Sequence, residues 1–372
     1  MDTIRVCLRK GHHSVYDDLV RFPPEKVVYE IPKLVTQSGN KSVDAAKKYL
    51  FKKYLHLTNS PHAISVPSGS AQLIHATSGI LVKNKFPWVI DTEHAASFAG
   101  FEAGRLEKVR PKAEALLSSP YCKKIIPWTE AGRQSLLNGL DAKNFEDKIE
   151  VVYPAMAPLS VTKKKHSGTN VLFVSVRFCT KGGRELLEAF ERLEKKEDLH
   201  LTIVSDVPDN LKEKYQQSSI TFLPPTIPRQ QLLEQHFASA DLFVLPSYMD
   251  TFGMVFLEAM SLGIPIVSTN VFAIPEIVGS AGVCINSSRY SWYGKDALFA
   301  WKSWGEFSEK METQSKPDVV QGITEAISTI LNDKKAAQKM SAAGRQEITY
   351  GKFSIAHRNA QLRRIYEEAL RA

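Results

Sequence analysis

The chain has 372 residues, 43% of them apolar and 24% charged, and a net charge of +8. That length exceeds what one hydrophobic core ordinarily supports and predicts two domains. No apolar run approaches the roughly 20 residues of a membrane span, and the four scattered cysteines, without paired metal-ligand spacing, predict neither disulfides nor structural zinc, as in a reducing cytoplasm.

In chain order, the opening residues through Leu8 read as a first strand rather than a signal peptide. Further strand candidates in the first half are the apolar runs Val27 to Ile31, Ala63 to Val66, Leu73-Ile74, Trp88 to Ile90, Lys124 to Ile126 and Ile149 to Tyr153, with helices near Val43 to Tyr54 and Glu130 to Leu137. Residues 1–150 hold 22 Lys/Arg against 16 Asp/Glu, so most of the positive excess lies there. Two readings stay open: a face that meets acidic lipid, nucleic acid or a phosphorylated acceptor, and ordinary solvated lysines. The polar, flexible stretch from Pro158 to Thr169 predicts the domain boundary, giving domains over 1–160 and 168–350.

After residue 168 strand and helix alternate strictly, which predicts a parallel, doubly wound sheet. Val171 to Val174 is a strand, and Gly183 to Leu193 an amphipathic helix with Leu186, Leu187, Phe190 and Leu193 on one face. The strand Leu199 to Val204, a helix near Asn210, the strand Ile220 to Leu223 and the helix Arg229 to Ala238 follow, then the strand Leu242 to Leu245 and the helix Phe252 to Leu262. Ile264 to Val267 and Val283 to Ile285 supply later strands. Ser287 to Lys316 has no clear period but three of the five tryptophans. It reads either as a lid, acceptor platform or interfacial anchor, or as an insertion that packs its aromatics on its own domain. Phe353 to Leu370 is a final helix.

Two turns carry the chemistry. In Pro246 to Met260, Asp250 and Glu258 bracket a strand-to-helix turn. Glu258 lies roughly 9 Å along a helix that begins near Phe252, so the two carboxylates can hold hydroxyl-bearing groups with a phosphate between them. The first-turn N–H groups, at Phe252, Gly253 and Met254, would face that phosphate, with Gly253 allowing close approach. The second turn holds Arg177 and Lys181. In a parallel sheet both turns open at the same edge, the usual place for a ligand. Two cations aimed at a departing diphosphate neutralise its growing charge, a contribution of a few kcal/mol per well-placed group; alternatively they are a surface arginine and a helix-start lysine.

The turn with Arg177, Lys181 and Gly182, the run Asp250-Thr251-Phe252-Gly253 through Glu258-Ala259-Met260, and Ala273-Ile274-Pro275-Glu276-Ile277-Val278-Gly279 together resemble the carboxyl-terminal half of the family-4 retaining glycosyltransferases. In the first half Thr92-Glu93-His94 resembles the family's strand-then-histidine element, and Trp128-Thr129-Glu130-Ala131 its later Ser-Glu turn. The resemblance implies a GT-B fold, two Rossmann-like α/β domains facing an interdomain cleft, with the helix over 353–372 crossing back to the first. It implies a retaining transfer of sugar from a nucleotide-diphosphate donor to a hydroxyl of a saccharide or lipid-linked acceptor. Glu258 would bind the nucleotide ribose, Asp250 a donor-sugar hydroxyl, and Arg177 with Lys181 the diphosphate. His94 would face the donor sugar, and Thr226, in Phe222 to Thr226, would pass near the base. No metal or other cofactor is expected: no Asp-x-Asp triplet occurs, Asp91-Thr92-Glu93 being the nearest approach. The expected partners are the donor, the acceptor and an anionic membrane touched peripherally from the cytoplasm, with no nucleic acid.

The chain departs from the family pattern in four places. Asp250 stands where Glu is usual, Val176 replaces the glycine before the arginine, and Arg177 to Lys181 is one residue tighter. Phe272-Ala273 replaces a Gly-Gly, and Lys10-Gly11-His12-His13 replaces a glycine pair in the first loop. These departures bear on donor identity and rate. They motivate two alternatives, a nucleotide-sugar binding or regulatory protein without catalysis, and a GT-B epimerase.

Overall fold

A computed structural model describes residues 3–11, 13–32, 41–193 and 198–371; His12 of the first loop lies outside these. The chain divides into two compact units, one of Met1–Ala155, Lys295–Leu298 and Ile355–Ala372, the other of Met156–Gly294 and Phe299–Ser354.

The first unit contains β1 (Ile4–Arg9), α1 (Val15–Arg21), β2 (Val27–Glu30), α2 (Lys41–Leu57), β3 (Ala63–Ile64), β4 (Leu73–Ala76), β5 (Leu81–Val82), β6 (Trp88–Thr92), α3 (Leu106–Leu117), β7 (Cys122–Pro127) and α4 (Glu130–Gly139). Its sheet runs β2-β1-β4-β6-β7, with every pairing parallel. Strands of such a sheet are covered on both faces, which is why β6 is buried at all five positions. Ile74, Ile90, Phe98, Leu117, Ile125, Leu136 and Phe145 form part of its core, each large side chain contributing about 1.5–3 kcal/mol by leaving water.

Three features of this unit differ from the sequence reading. Ile149 to Tyr153 is not a full strand: Ile149 bridges Ile125, and Glu150 and Val152 donate to the Ile125 and Pro127 carbonyls, but Pro127 has no N–H to return, so the ladder stops. The helix α3 carries Pro111 inside it, which hides it from a search for uninterrupted periodicity. The two-residue strands β3 and β5 pair only with each other and are too short to alternate. The chain's final helix, Ile355–Arg371, packs on the sheet of this unit: Tyr366 shares hydrogen bonds with Tyr29 (2.9 Å) and His75 (2.7 Å), and Arg358 donates to the Phe22 carbonyl.

The second unit contains β8 (Thr169–Val174), α5 (Gly183–Leu193), β9 (Leu199–Val204), α6 (Asp209–Lys214), β10 (Ile220–Leu223), α7 (Arg229–Gln231), β11 (Leu242–Val244), α8 (Met254–Ser261), β12 (Ile266–Thr269), α9 (Ile274–Val278), β13 (Gly282–Ile285), α10 (Trp304–Thr313), α11 (Pro317–Asn332) and α12 (Lys334–Thr349). From Leu232 to Phe237 the helix after α7 widens to π-type hydrogen bonding. The sheet order is β10-β9-β8-β11-β12-β13, again all parallel. The order reverses between β8 and β11, and in doubly wound sheets ligands bind beyond the carboxyl ends of the strands at that switch point. Leu186, Leu187, Phe190 and Leu193 of α5 are all buried, as its periodicity requires. The helix at the second turn starts two residues later than expected, at Met254, because Gly253 takes a left-handed conformation (φ 75°) that an α-helix cannot contain.

The aromatic segment is resolved into two parts. Lys295–Leu298 belongs to the first unit, where Asn138 donates to the Asp296 carbonyl. Around it, Tyr290, Trp292 and Tyr293 are buried, and Trp292 packs on Trp304 and Phe307 of α10 within the second unit. Most of its aromatic surface thus serves packing, but Trp304 is 37% exposed.

Candidate active site

The two turns picked from the sequence follow β8 and β11, the strands that meet at the switch point. They are fastened to each other. The Tyr248 N–H donates to the Thr180 carbonyl at 3.1 Å. Gly182, with φ 75°, lets the first turn press against the second, since a Cβ at that position would lie 2.4 Å from the Pro246 carbonyl oxygen. No other residue type fits there without moving one turn.

That contact carries Lys181 to Asp250. The ammonium donates to Asp250 Oδ2 at 2.8 Å and also to the Met249 carbonyl, and both side chains of the pair are only 14% and 13% exposed. Ser247, fully buried, donates from its hydroxyl to the same Met249 carbonyl at 2.8 Å and fixes the turn's backbone. Arg177 is exposed and makes no ion pair among the described residues; its guanidinium lies 4.5 Å over the Trp304 ring. A cation held on an aromatic face gains about 0.5–2 kcal/mol while keeping its charge available.

On α8 the arrangement is different. Phe252 is 1% exposed and packs edge-on against Phe353, so its side chain belongs to the core and only its backbone is open to a ligand role. Gly253 caps α8 without a side chain to accept from the first-turn N–H groups, and Met254 is half-buried. Glu258 is 8% exposed and accepts from Arg229 Nε at 2.8 Å. Sequence reasoning missed Arg229: it lies 29 positions earlier on a different helix, and no spacing rule links the two. Thr226 is exposed in the turn between β10 and α7.

Beneath the turns lies a further pair that the sequence did not reveal. Lys316, with its side chain fully buried, donates to Glu185 Oε1 at 2.8 Å and to the carbonyls of Met311 and Gln314. Its ammonium also lies 5.2 Å from the centre of the Tyr248 ring. Burial, reinforced by Glu185, pushes the Tyr248 hydroxyl well above the ordinary tyrosine range, so it stays protonated. Residues from α5, the turn after β11 and the segment before α11 thus support the floor of the site.

His94 belongs to the first unit, immediately after β6. It is 2% exposed and meets Phe101 edge to face at 5.5 Å between ring centres. Burial lowers its pKa from 6.5 to about 3, so the imidazole is neutral at physiological pH. The same unit holds a buried carboxylate, Asp91, which accepts from Tyr16 (2.6 Å), Trp128 (3.2 Å) and the Ser78 N–H (3.1 Å). Those bonds explain its burial as part of the first unit's polar framework.

Residues 168–291, which include both turns, match the model of the family described as Glycosyl transferases group 1. That match covers 124 of the 372 residues, and the chain has the GT-B fold. Among curated relatives, O-antigen chain mannosyltransferase B of Escherichia coli is 51% identical over 47 residues, which are 13% of this chain and 12% of that protein. The aligned stretch therefore spans only a small part of that relative. Among solved structures, that of Anabaena Alr3699/HepE in complex with UDP and glucose matches over 99% of this chain and all of that one, with a TM-score of 0.60 at 14% identity. A glycosyltransferase from Rickettsia africae matches over 99% of this chain and 90% of its own, with a TM-score of 0.54 at 16% identity. At such identities the likeness is one of fold.

Proposed function

We propose that this protein moves a sugar from a nucleoside-diphosphate donor to an acceptor hydroxyl with retention of configuration and without a metal ion. The observation that carries the reading is the junction of the two switch-point turns, where Lys181, Arg177, Asp250 and the uncapped start of α8 converge at the carboxyl edge of one parallel sheet. Arg177 and Lys181 grip the diphosphate and stabilise the charge that grows as it leaves. The first-turn N–H groups at Gly253 and Met254 donate to the phosphate oxygens. Asp250 holds a hydroxyl of the donor sugar, Glu258, kept in place by Arg229, holds the ribose, and the Thr226 turn meets the base. His94 serves as a neutral hydrogen-bonding group toward the sugar. In the retaining step the incoming hydroxyl gives its proton to the departing phosphate on the same face of the sugar. The related fold of Alr3699/HepE, determined with UDP and glucose, supports a uridine nucleotide as the first donor to try.

The acceptor is proposed to be a saccharide or lipid-linked saccharide met at an anionic membrane from the cytoplasmic side. No helix of the described residues is long and apolar enough to cross a membrane. Support for surface contact comes from α2, which exposes Tyr49 (66%), Leu50 (63%), Tyr54 (55%) and Leu57 (77%) beside the exposed Lys52 and Lys53, the makeup of an interfacial helix. Flotation with anionic but not zwitterionic vesicles is the expected result, and loss of flotation in Leu50→Glu/Leu57→Glu tests it.

A thermal-shift panel of nucleoside diphosphates and their sugars tests the donor site. A ligand at 100 times its Kd adds about 2.7 kcal/mol of stability, so at least one member should give a selective shift; none doing so overturns the site. A second reading, binding without turnover, draws on the engagement of Lys181 by Asp250 and Met249. Donor hydrolysis in the absence of acceptor separates the two.

A further inference from the structure

Beside the first turn, on the side away from Asp250 in the sheet order, an open cavity of about 270 Å³ lies between the ends of β8 and β9 and one face of α10. Trp304, Ser308 and Glu312 recur every fourth residue on α10 and so form a single stripe along the cavity. The opposite wall is built from Arg177 and Thr180 of the turn after β8 and from Asp206 after β9.

The charged groups here are not ion-paired, and one buried hydroxyl lacks the partner that a purely structural role would supply. Arg177, Asp206 and Glu312 make no ion pair among the described residues. Glu312 has only a long hydrogen bond from the Ser308 hydroxyl, at 3.3 Å. Thr180 is 3% exposed, yet its hydroxyl oxygen has no hydrogen-bond partner. A buried hydroxyl left this way is unfavourable unless something outside the protein satisfies it. Val176, 63% exposed, adds an apolar patch at the rim.

We propose that this cavity binds a neutral pyranose unit, separate from the nucleotide. With Arg177 committed to the diphosphate, the two carboxylates disfavour phosphate and carboxylate ligands, whereas carboxylates and hydroxyls together match the hydroxyls of a sugar ring. Val176 and the exposed part of the Trp304 ring not covered by Arg177 offer apolar surface to the C–H groups of such a ring. The volume is near the lower end of the roughly 300–1,000 Å³ of small-molecule pockets, which suits one ring rather than an oligosaccharide. The inference builds on the glycosyltransferase reading and assigns this sugar to the acceptor glycan, with the donor's own sugar as the other source of the same chemistry.

Titration of methyl gluco-, galacto-, manno- and N-acetylglucosaminopyranosides, followed by tryptophan fluorescence and saturation-transfer NMR with and without saturating UDP, tests it. At least one glycoside should bind with a Kd on the order of millimolar, UDP should change that Kd less than threefold, and Asp206→Asn or Glu312→Gln should weaken it at least fivefold. Both residues are exposed, so these variants keep the fold. Absence of binding by every glycoside, or binding that both substitutions leave unchanged, overturns the proposal. Displacement of the glycoside by UDP-glucose but not by UDP assigns the cavity to the donor's sugar and overturns the acceptor assignment. If nucleotides fail to bind while a glycoside does, the donor-site reading fails and the cavity's sugar chemistry stands; if nucleotides bind and no glycoside does, only this inference fails.

Discussion

Gly182 sets the distance between the two turns, so replacing it by alanine is the sharpest structural perturbation of the site. Two costs add. An L-residue at φ 75° carries about 1–2 kcal/mol of left-handed strain. The new methyl would also stand 2.4 Å from the Pro246 carbonyl oxygen and 2.6 Å from its ring, an overlap that backbone can relieve only by moving, at about 1–3 kcal/mol. Gly104, at φ 73° with nothing within 4 Å of its would-be Cβ, isolates the first cost. Urea unfolding followed by far-ultraviolet circular dichroism should therefore show Gly182→Ala destabilised by about 2–5 kcal/mol and Gly104→Ala by only about 1–2 kcal/mol. Because the relieved turn must carry Lys181 away from Asp250, donor turnover should fall in Gly182→Ala and persist in Gly104→Ala. Equal stability losses in the two variants would refute the close apposition of the turns.

Arg229→Ala should raise the Kd for nucleoside diphosphate about five- to tenfold, read by calorimetry, since Glu258 loses the guanidinium that orients it; about 1–1.4 kcal/mol corresponds to that range. Lys316→Met should cost about 3–5 kcal/mol by leaving the buried Glu185 carboxylate unpaired, and adding Glu185→Leu should recover most of the loss; a single variant as stable as the parent removes the pair from the account. For His94, the folded pKa of about 3 lies below the unfolded 6.5, so the unfolded chain binds the proton more readily. Its stabilising effect is complete above pH 6.5 and is lost as pH falls toward 3, by up to about 5 kcal/mol. Thermal midpoints of His94→Gln should consequently decline less steeply than the parent's between pH 6.5 and 4, and parallel declines would refute the buried neutral imidazole.

The second unit was legible because its strands are short continuous apolar runs and its main helices keep an uninterrupted stripe; the bounds of α5 and β9 match the sequence reading residue for residue. The first unit was less so. Pro111 interrupts α3, Pro127 ends the ladder that Ile149 begins, and two-residue strands have no period to detect. At the site, the turn residues announced themselves through charges beside a helix start. What sequence could not supply were partners joined only by the fold: Arg229 with Glu258, Lys316 with Glu185, and the Trp304 ring beneath Arg177. The tryptophan density between Ser287 and Lys316 marked the last of these without indicating which ring faces the site. Phe252 shows the converse: its place in the motif suggested a ligand contact, while its side chain is committed to packing on Phe353.

The central claim is that the cations of the first turn act on the leaving diphosphate. Its most direct test compares Arg177→Ala and Lys181→Ala with the parent, using the nucleoside-diphosphate sugar that shifts the thermal midpoint most and measuring its hydrolysis at saturation together with its Kd. Loss of about 3–4 kcal/mol of transition-state stabilisation predicts a kcat about 10²–10³ lower, with donor Kd changed less than tenfold. An unchanged kcat in either variant would contradict it.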